Sequence, residues 1–590
     1  MAQVEDIRRG AGQRVVAGVM LVVAVAGLHG LLWSRLGSSE LAAKPVIRAR
    51  PPQTVRVAAR QGPVVAGATV AAAAASGSGG AMPGAVPGPG SVRVMAAGPA
   101  PAVERLRGAS VNDALQLGGV VMTMDPAVGD FARGDVLIEG RRILSVGTNI
   151  RATNAIEIDA SNTIVMPGLI DTHHHQYETI QRQIIADGML FGAWPQQSYV
   201  SVVQSIFTDG RIQGTFDLGR SPYEPEDCYI SELVACWNQI NAGVTTGIDT
   251  SQCSQTAAHT DAMIKGLIDS GRRSMYVYSR GRGDVPGFEY PGRLGVSTRG
   301  LGRLRSQWFN TDDQLVTLGY DGGPTPIAGP GSETGWALAR SVGAWIVNHN
   351  VQAPQVVLNN EKELGPDIEF IHCTRWPSEA WKIFADKGGK VSIASLIEMQ
   401  MRHGMPPIQA ALDHGIVPSL SVDVETNMTP DLFSQMRAVF TLQRALAHER
   451  SLDGDKNAPQ PLTCRQVLEM ATMAGARCAH LDKKVGSLSP GKEADIIMLS
   501  TDAINVFPMN NAPGAVVTMM DTSNVKHVMI AGTIKKWNGK LVGANLDDLR
   551  RKAEASRDAL MSRIRGVFPA YVPSLFDSCC VPTKPAPAAR

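Results

Sequence analysis

Residues 164–175 read IVMPGLIDTHHH, an apolar run that closes on three histidines. Strand side chains alternate between faces, so His173 and His175 point one way and His174 the other. Two imidazoles on one face of a strand end chelate a borderline metal such as zinc. A surface histidine cluster or an artificial tag is the bland alternative. The buried character of the run argues against it.

Seven further runs share that form, apolar and ending in polar residues: VTTGIDTS (244–251), SMYVYSRG (274–281), LVTLGYDGG (315–323), AWIVNHN (344–350), IEFIHCT (368–374), KVSIAS (390–395) and VPSLSVD (417–423). Helical patterns lie between several of them. In 225–241, Pro225, Glu226 and Asp227 open a helix, and Ile230, Leu233, Val234, Trp237 and Ile240 follow at helical spacing. Eight strands with crossover helices over residues 166–480 predict an α/β fold, a (β/α)8 TIM-type barrel. The third and fourth units are the least regular. The stretch 279–335, rich in Gly and Arg, reads as a long loop or lid.

Barrel chemistry sits at the C-terminal ends of the strands. The fifth run ends at His349, the sixth at His372 and the eighth at Asp423. A lone histidine is more often structural, and Asp423 alone would read as a helix cap. Together with His173 and His175 they form a shell suited to one zinc, with iron(II) accepting the same donors.

The flanks of the barrel are built differently. ALQLGGVVMTM (114–124), DVLIEGRRILSVG (135–147) and IEIDASNTIVM (156–166) are short strands separated by turns. EADIIMLS (493–500) and VKHVMIAGTIKKWNGKLVG (525–543) repeat the pattern, with a hairpin signal at Asn538-Gly539. Residues 111–165 and 481–545 are therefore expected to pair as one composite β-sandwich clamping the barrel. Residues 546–590 read as a C-terminal helix and tail.

The N-terminal region is not part of that body. Residues 15–33 are an apolar run of 19, preceded by Arg8, Arg9 and Arg14. It is long enough for one transmembrane helix. A cleaved signal peptide and a start placed too far upstream are the competing readings of residues 1–35. Location turns on them: membrane-anchored or exported if they are real, otherwise cytoplasmic. Residues 36–110, with AAAAASGSGG and PGAVPGPG, read as a disordered Ala/Gly/Pro-rich linker.

Charge is close to balanced, 56 Lys+Arg against 54 Asp+Glu, which argues against a nucleic-acid partner. A small-molecule substrate fits better, and self-association into a homo-oligomer is compatible with such barrels. None of the eight cysteines forms a C-x-x-C pair, and the zinc-bound cysteine pair of nucleobase deaminases is absent. No role is assigned to Cys579 and Cys580.

MPGLIDTHHH (166–175) resembles the PG-x-x-D-x-H-x-H motif of the amidohydrolase superfamily. GVTTGIDTS (243–251), IHCT (371–374), SVDVETN (421–427) and VGSLSPGKEADIIML (485–499) are similar, in that order, to its cytosine deaminase-like branch, which includes triazine and purine hydrolases. The resemblance implies His173, His175, His349 and Asp423 as metal ligands. It implies that His372 hydrogen-bonds the attacking water or the substrate, and that Asp423 is also the general base. The fourth strand shows no lysine to carboxylate, which disfavours a second metal. One departure stands out: deaminases of the branch carry Glu three residues after the fifth-strand His, and here that residue is Gln352. Glu425, two residues past Asp423, is the candidate to act in its place.

Gln352, His259 and Tyr177 are expected to contact substrate, and Glu178, Glu398, Met399 and Met401 to shape its pocket. His403, His414, His448, His480 and His527 are expected in structural or solvent roles. The leading expectation is hydrolysis of a non-peptide carbon–nitrogen bond in a small cyclic molecule. Deamination of a purine, pyrimidine or triazine is the rival, weakened by Gln352, and dehalogenation is a lesser one. A non-catalytic metal-binding scaffold is the alternative of another class, but a scaffold has no need of all five residues.

Overall fold

The computed structural model describes residues 115–152, 155–191, 198–208, 221–279, 298–324 and 334–565. Their strands fall into two sheets.

The first flank supplies β1 (Leu115–Val121), β2 (Phe131–Glu139), β3 (Arg142–Gly147), β4 (Ile156–Ile158) and β5 (Thr163–Pro167). The central region supplies β6 (Leu169–His174), β7 (Val244–Ser251), β8 (Arg273–Tyr278), β9 (Val316–Tyr320), β10 (Trp345–His349), β11 (Ile368–Ile371), β12 (Lys390–Ile393) and β13 (Ser419–Leu420). Each of the eight expected runs contains one of these strands, and the first, 164–175, also contains most of β5. They pair in sequence order, every pair parallel. β6, β7 and β8 are buried along their whole length. That is why they read as near-continuous apolar runs rather than alternating ones.

The barrel closes where the sequence placed its chemistry. His174 bridges Asp423 in parallel register. His175 N–H donates to the Asp423 carbonyl at 2.8 Å, and Asp423 N–H to the His173 carbonyl at 2.9 Å. The seam between first and last strands is thus made by the candidate site residues themselves.

Helix Pro225–Asn241 forms where expected, with Glu224 and Asp227 in a capping box. The reading of 279–335 as loop needs correction. Besides β9 it contains helix Thr298–Gln307, which buries Leu301 and Leu304. Residues 280–297 and 325–333 lie outside the described residues.

The second flank adds β14 (Ile496–Ser500), β15 (Val525–Ile530), β16 (Thr533–Trp537) and β17 (Lys540–Leu541). β14 pairs antiparallel with β5, from Ile496 opposite Pro167 to Ser500 opposite Thr163. The two flanks therefore meet in one continuous nine-stranded sheet. It encloses its own core, with Val136, Ile143, Val165, Ile496 and Met529 among its members. Asn538 and Gly539, at φ 46° and 77°, make the turn between β16 and β17.

β5 runs into β6 through Gly168 alone. A Cβ there would lie 2.1 Å from Thr245 Oγ1, so the crossing from sheet to barrel needs glycine. Arg273 at the start of β8 ties the same junction from below. Its guanidinium meets Glu493 at 2.5 Å and Asp495 at 2.9 Å, all three buried. Helix Leu546–Arg565 packs Leu560 and Ile564 inward and pairs Arg563 with Asp227 of helix Pro225–Asn241.

The transmembrane assignment is withdrawn. No helix among the described residues is long and apolar enough to cross a membrane, and residues 15–33 lie outside them. The linker 36–110, Cys579 and Cys580 lie outside them too.

Candidate metal centre

The alternation read from the sequence holds. His173 and His175 turn to one side of the β6 end. His174 turns to the other, towards Gln239 at 3.1 Å and Glu425 at 3.3 Å.

Thr250, near the end of β7, anchors both site imidazoles. Its Oγ1 lies 2.9 Å from His173 Nδ1, and its carbonyl lies 2.9 Å from His175 Nδ1. A carbonyl only accepts, so His175 Nδ1 carries the proton and its Nε2 is a bare lone pair. His349 ends β10 with Nδ1 3.6 Å from Asp321 Oδ2. Asp321 is held in turn by Ser279 at 2.9 Å and Asn348 at 2.6 Å. The His349 Nε2 turns towards His175.

The Nε2 atoms of His175 and His349 stand 3.1 Å apart. Asp423 Oδ1 lies 3.0 Å from His173 Nε2 and 3.6 Å from His175 Nε2. Nitrogen and carboxylate donors gathered this closely suit a shared cation. His173, His175 and His349 form one group whose ligand atoms lie mutually within 4.8 Å, and His173, His372 and Asp423 form another. Outer partners that hold each imidazole by its far nitrogen are the usual support of a metal site. The donor set fits a divalent metal with nitrogen and oxygen ligands.

His372 follows β11. Its Nε2 is 3.6 Å from Asp423 Oδ2, and its Nδ1 is 3.1 Å from Glu398 Oε1. Glu398 thus orients His372 rather than lining a pocket directly. His372 and Asp423 both have left-handed backbones, φ 72° and 65°. That conformation costs a non-glycine residue about 1–2 kcal/mol, and such strain concentrates at functional sites.

Burial pushes His173 down to about 3 and His372 to about 4, and holds His175 well below its ordinary value. Burial acts on Asp423 in the opposite sense, but His173, then His372 and His175, hold its carboxyl well below the usual range. Neutral imidazoles around an ionised carboxylate are the protonation states that metal ligands need.

The other expected contacts divide. Tyr177 stands edge-on to His175, ring centroids 6.1 Å apart, with a buried hydroxyl. Glu178 accepts from Tyr199 Oη at 2.6 Å, and burial raises its carboxyl to about 8. His259 is taken up by the fold: Nδ1 lies 2.8 Å from Thr256 Oγ1 and Nε2 3.0 Å from the Tyr223 carbonyl. Gln352 is exposed and donates from Nε2 to the His403 carbonyl at 2.7 Å. Met401 is buried and Met399 exposed. Glu425 faces His174, Thr179 and Arg182; burial opposes its ionisation, but Arg182 and His174 bring it to about 2.

His480 stacks on Trp345 at 3.6 Å, and His414 bonds Ser378 at 2.8 Å, both structural as expected. The His403 ring stands beside His372, centroids 4.6 Å apart. Thr250 and Asp321 escaped the sequence reading, and His403 is expected there only in a structural or solvent role. The first two end the second and fourth strands, so the strand-end rule pointed at them; nothing in the sequence marked His403.

Fold and site together define a metal-dependent hydrolase built on a (β/α)8 barrel. Its likeness to known proteins lies in the amidohydrolases. The amidohydrolase family model matches residues 360–537. A 5'-deoxyadenosine deaminase of Methanosarcina mazei is 24% identical over 462 residues, 75% of this chain and 97% of that protein. A zinc-bound adenosine deaminase from Xanthomonas campestris superposes with TM-score 0.61 at 19% identity, over 77% of this chain and 99% of that one. The zinc complex of an atrazine chlorohydrolase from Arthrobacter aurescens does so with TM-score 0.61 at 21% identity, over 75% and 100%.

Proposed function

We propose that the protein hydrolyses a non-peptide carbon–nitrogen bond in a small cyclic substrate, with one divalent metal, zinc first, held by His173, His175, His349 and Asp423. The observation that carries this reading is the gathering of the His175 and His349 Nε2 atoms, 3.1 Å apart, beside the ionised Asp423 carboxylate at the barrel seam. When bound, such a metal acts as a Lewis acid that makes water a nucleophile at neutral pH.

The chain's own residues divide the remaining work. Asp423, kept ionised, accepts a proton from the attacking water and passes it to the leaving nitrogen. His372, oriented by Glu398, hydrogen-bonds the group under attack. Tyr177 packs beside His175 and limits the room for the ring.

Deamination of an aminated heteroaromatic ring is the second reading. The deaminases among the relatives favour it, matched over nearly their whole length. Its difficulty was Gln352, which cannot shuttle a proton.

Metal analysis of the purified protein, paired with ammonia release from purines, pyrimidines, triazines, lactams and hydantoins, tests both. About one metal per chain with carbon–nitrogen cleavage supports the proposal. Ammonia from an aminated ring selects the deaminase. No metal uptake and no turnover would overturn it.

A further inference from the structure

His403 is buried, 3% exposed, and both of its ring nitrogens are buried with no hydrogen-bond partner. Leaving one buried polar atom unsatisfied costs about 1–3 kcal/mol. Two histidines that serve the fold have both ring nitrogens paired. His259 spends its nitrogens on Thr256 and Tyr223, and His414 on Ser378 and the Ala410 carbonyl.

The place of the ring is specific. It stands edge-on to His372, centroids 4.6 Å apart and planes at 87°. Burial, then His372, pushes it down to about 3, so it is neutral. A neutral imidazole offers one donor and one acceptor.

Its backbone is pinned from three sides. The His403 carbonyl accepts from Gln352 Nε2 at 2.7 Å and Thr374 Oγ1 at 2.8 Å. Its N–H donates to the Glu398 carbonyl at 3.1 Å. Its neighbours Arg402 and Gly404 have φ 62° and 131°. A constrained loop thus holds a neutral ring, unpaired within the protein, edge-on to His372.

We infer that His403 contacts the substrate, hydrogen-bonding a ring nitrogen or oxo group on the His372 side of the site. Gln352 and Thr374 are positioning residues that hold it there. The residue standing where branch deaminases carry their acid thus supports another hydrogen-bonding side chain. This inference rests on the carbon–nitrogen reading and names the class of substrate as a heterocycle with a polar ring atom near the attacked carbon.

The test uses the full-length protein and its His403→Ala, His403→Asn and Gln352→Ala variants. Metal content is measured, with kcat and KM on 5'-deoxyadenosine and on whichever ring of the panel turns over fastest. In His403→Ala, kcat/KM should fall at least about tenfold, the equivalent of one lost hydrogen bond of about 1.4 kcal/mol. Metal content should be unchanged, added imidazole should restore part of the rate, and Asn should fall between. Gln352→Ala should show a smaller loss of the same kind.

Wild-type kcat/KM in His403→Ala overturns the inference alone. So does a loss that tracks loss of metal and that neither imidazole nor Asn relieves. A wild-type protein that cleaves no carbon–nitrogen bond in the panel overturns the functional reading, and this inference with it.

Discussion

Thr250 orients two imidazoles by two different atoms, and those atoms separate cleanly by mutation. Thr250→Val removes the hydroxyl that faces His173 and leaves the carbonyl that fixes His175. Loss of such an outer partner typically weakens metal binding about 10–100-fold. Competition with a chelator should find that loss, and unchanged affinity would show that the hydroxyl does not orient His173. His173→Ala and Asp423→Asn should each abolish turnover while far-ultraviolet circular dichroism keeps its wild-type form; appreciable activity in both would put the chemistry elsewhere. At this scale the sequence was readable where a rule of local geometry applied. Strand alternation separated His173 and His175 from His174, and the strand-end rule found His349, His372 and Asp423. It could not see His403, whose neighbour His372 lies 31 positions away across a loop, nor that Gln352 would turn to that loop. Contacts between loops carry no periodic signal.

Among the elements, β8 carries the sharpest energetic claim. Arg273 is buried between Glu493 and Asp495. Removing one partner of a buried ionic cluster costs about 3–5 kcal/mol, because the carboxylates stay behind. Arg273→Leu should lose stability of that order in urea unfolding at neutral pH. The pH dependence has a definite sign. Burial works to raise Glu493, but Arg273 and then Arg141 hold its carboxyl below the usual range. A carboxyl depressed on folding adds stability above its unfolded pKa of about 4.3 and loses it as pH falls through the folded value. The gap between wild type and Arg273→Leu should therefore narrow below about pH 4; a gap that widens would contradict the assignment. The strands were legible because doubly covered parallel strands are apolar throughout. Helix Thr298–Gln307 was not: TRGLGRLRSQ has two glycines and few apolar positions, and Leu301 and Leu304 are what it buries.

For the described molecule as a whole, the chain folds its beginning onto its end. β5 needs β14 beside it, and the core around Val165 and Ile496 draws on both flanks. A chain truncated at residue 490 should lose β14 to β17, expose the β5 edge and be recovered insoluble; a soluble, cooperatively folding product would show that the barrel stands without its sheet. That pairing was expected from short strands on either side of the barrel. Its form as one continuous sheet was not, because strand order is set by long-range register that hydropathy does not encode. The barrel in turn closes through His173, His174, His175 and Asp423, so the structural seam and the proposed metal centre are one object. The measurement that tests this most directly is metal content of the purified wild-type protein beside His175→Ala and His349→Ala. The account predicts about one divalent metal per wild-type chain and a marked loss in both variants. A wild-type protein that stays metal-free when zinc is added, or variants that keep their full complement, would contradict it.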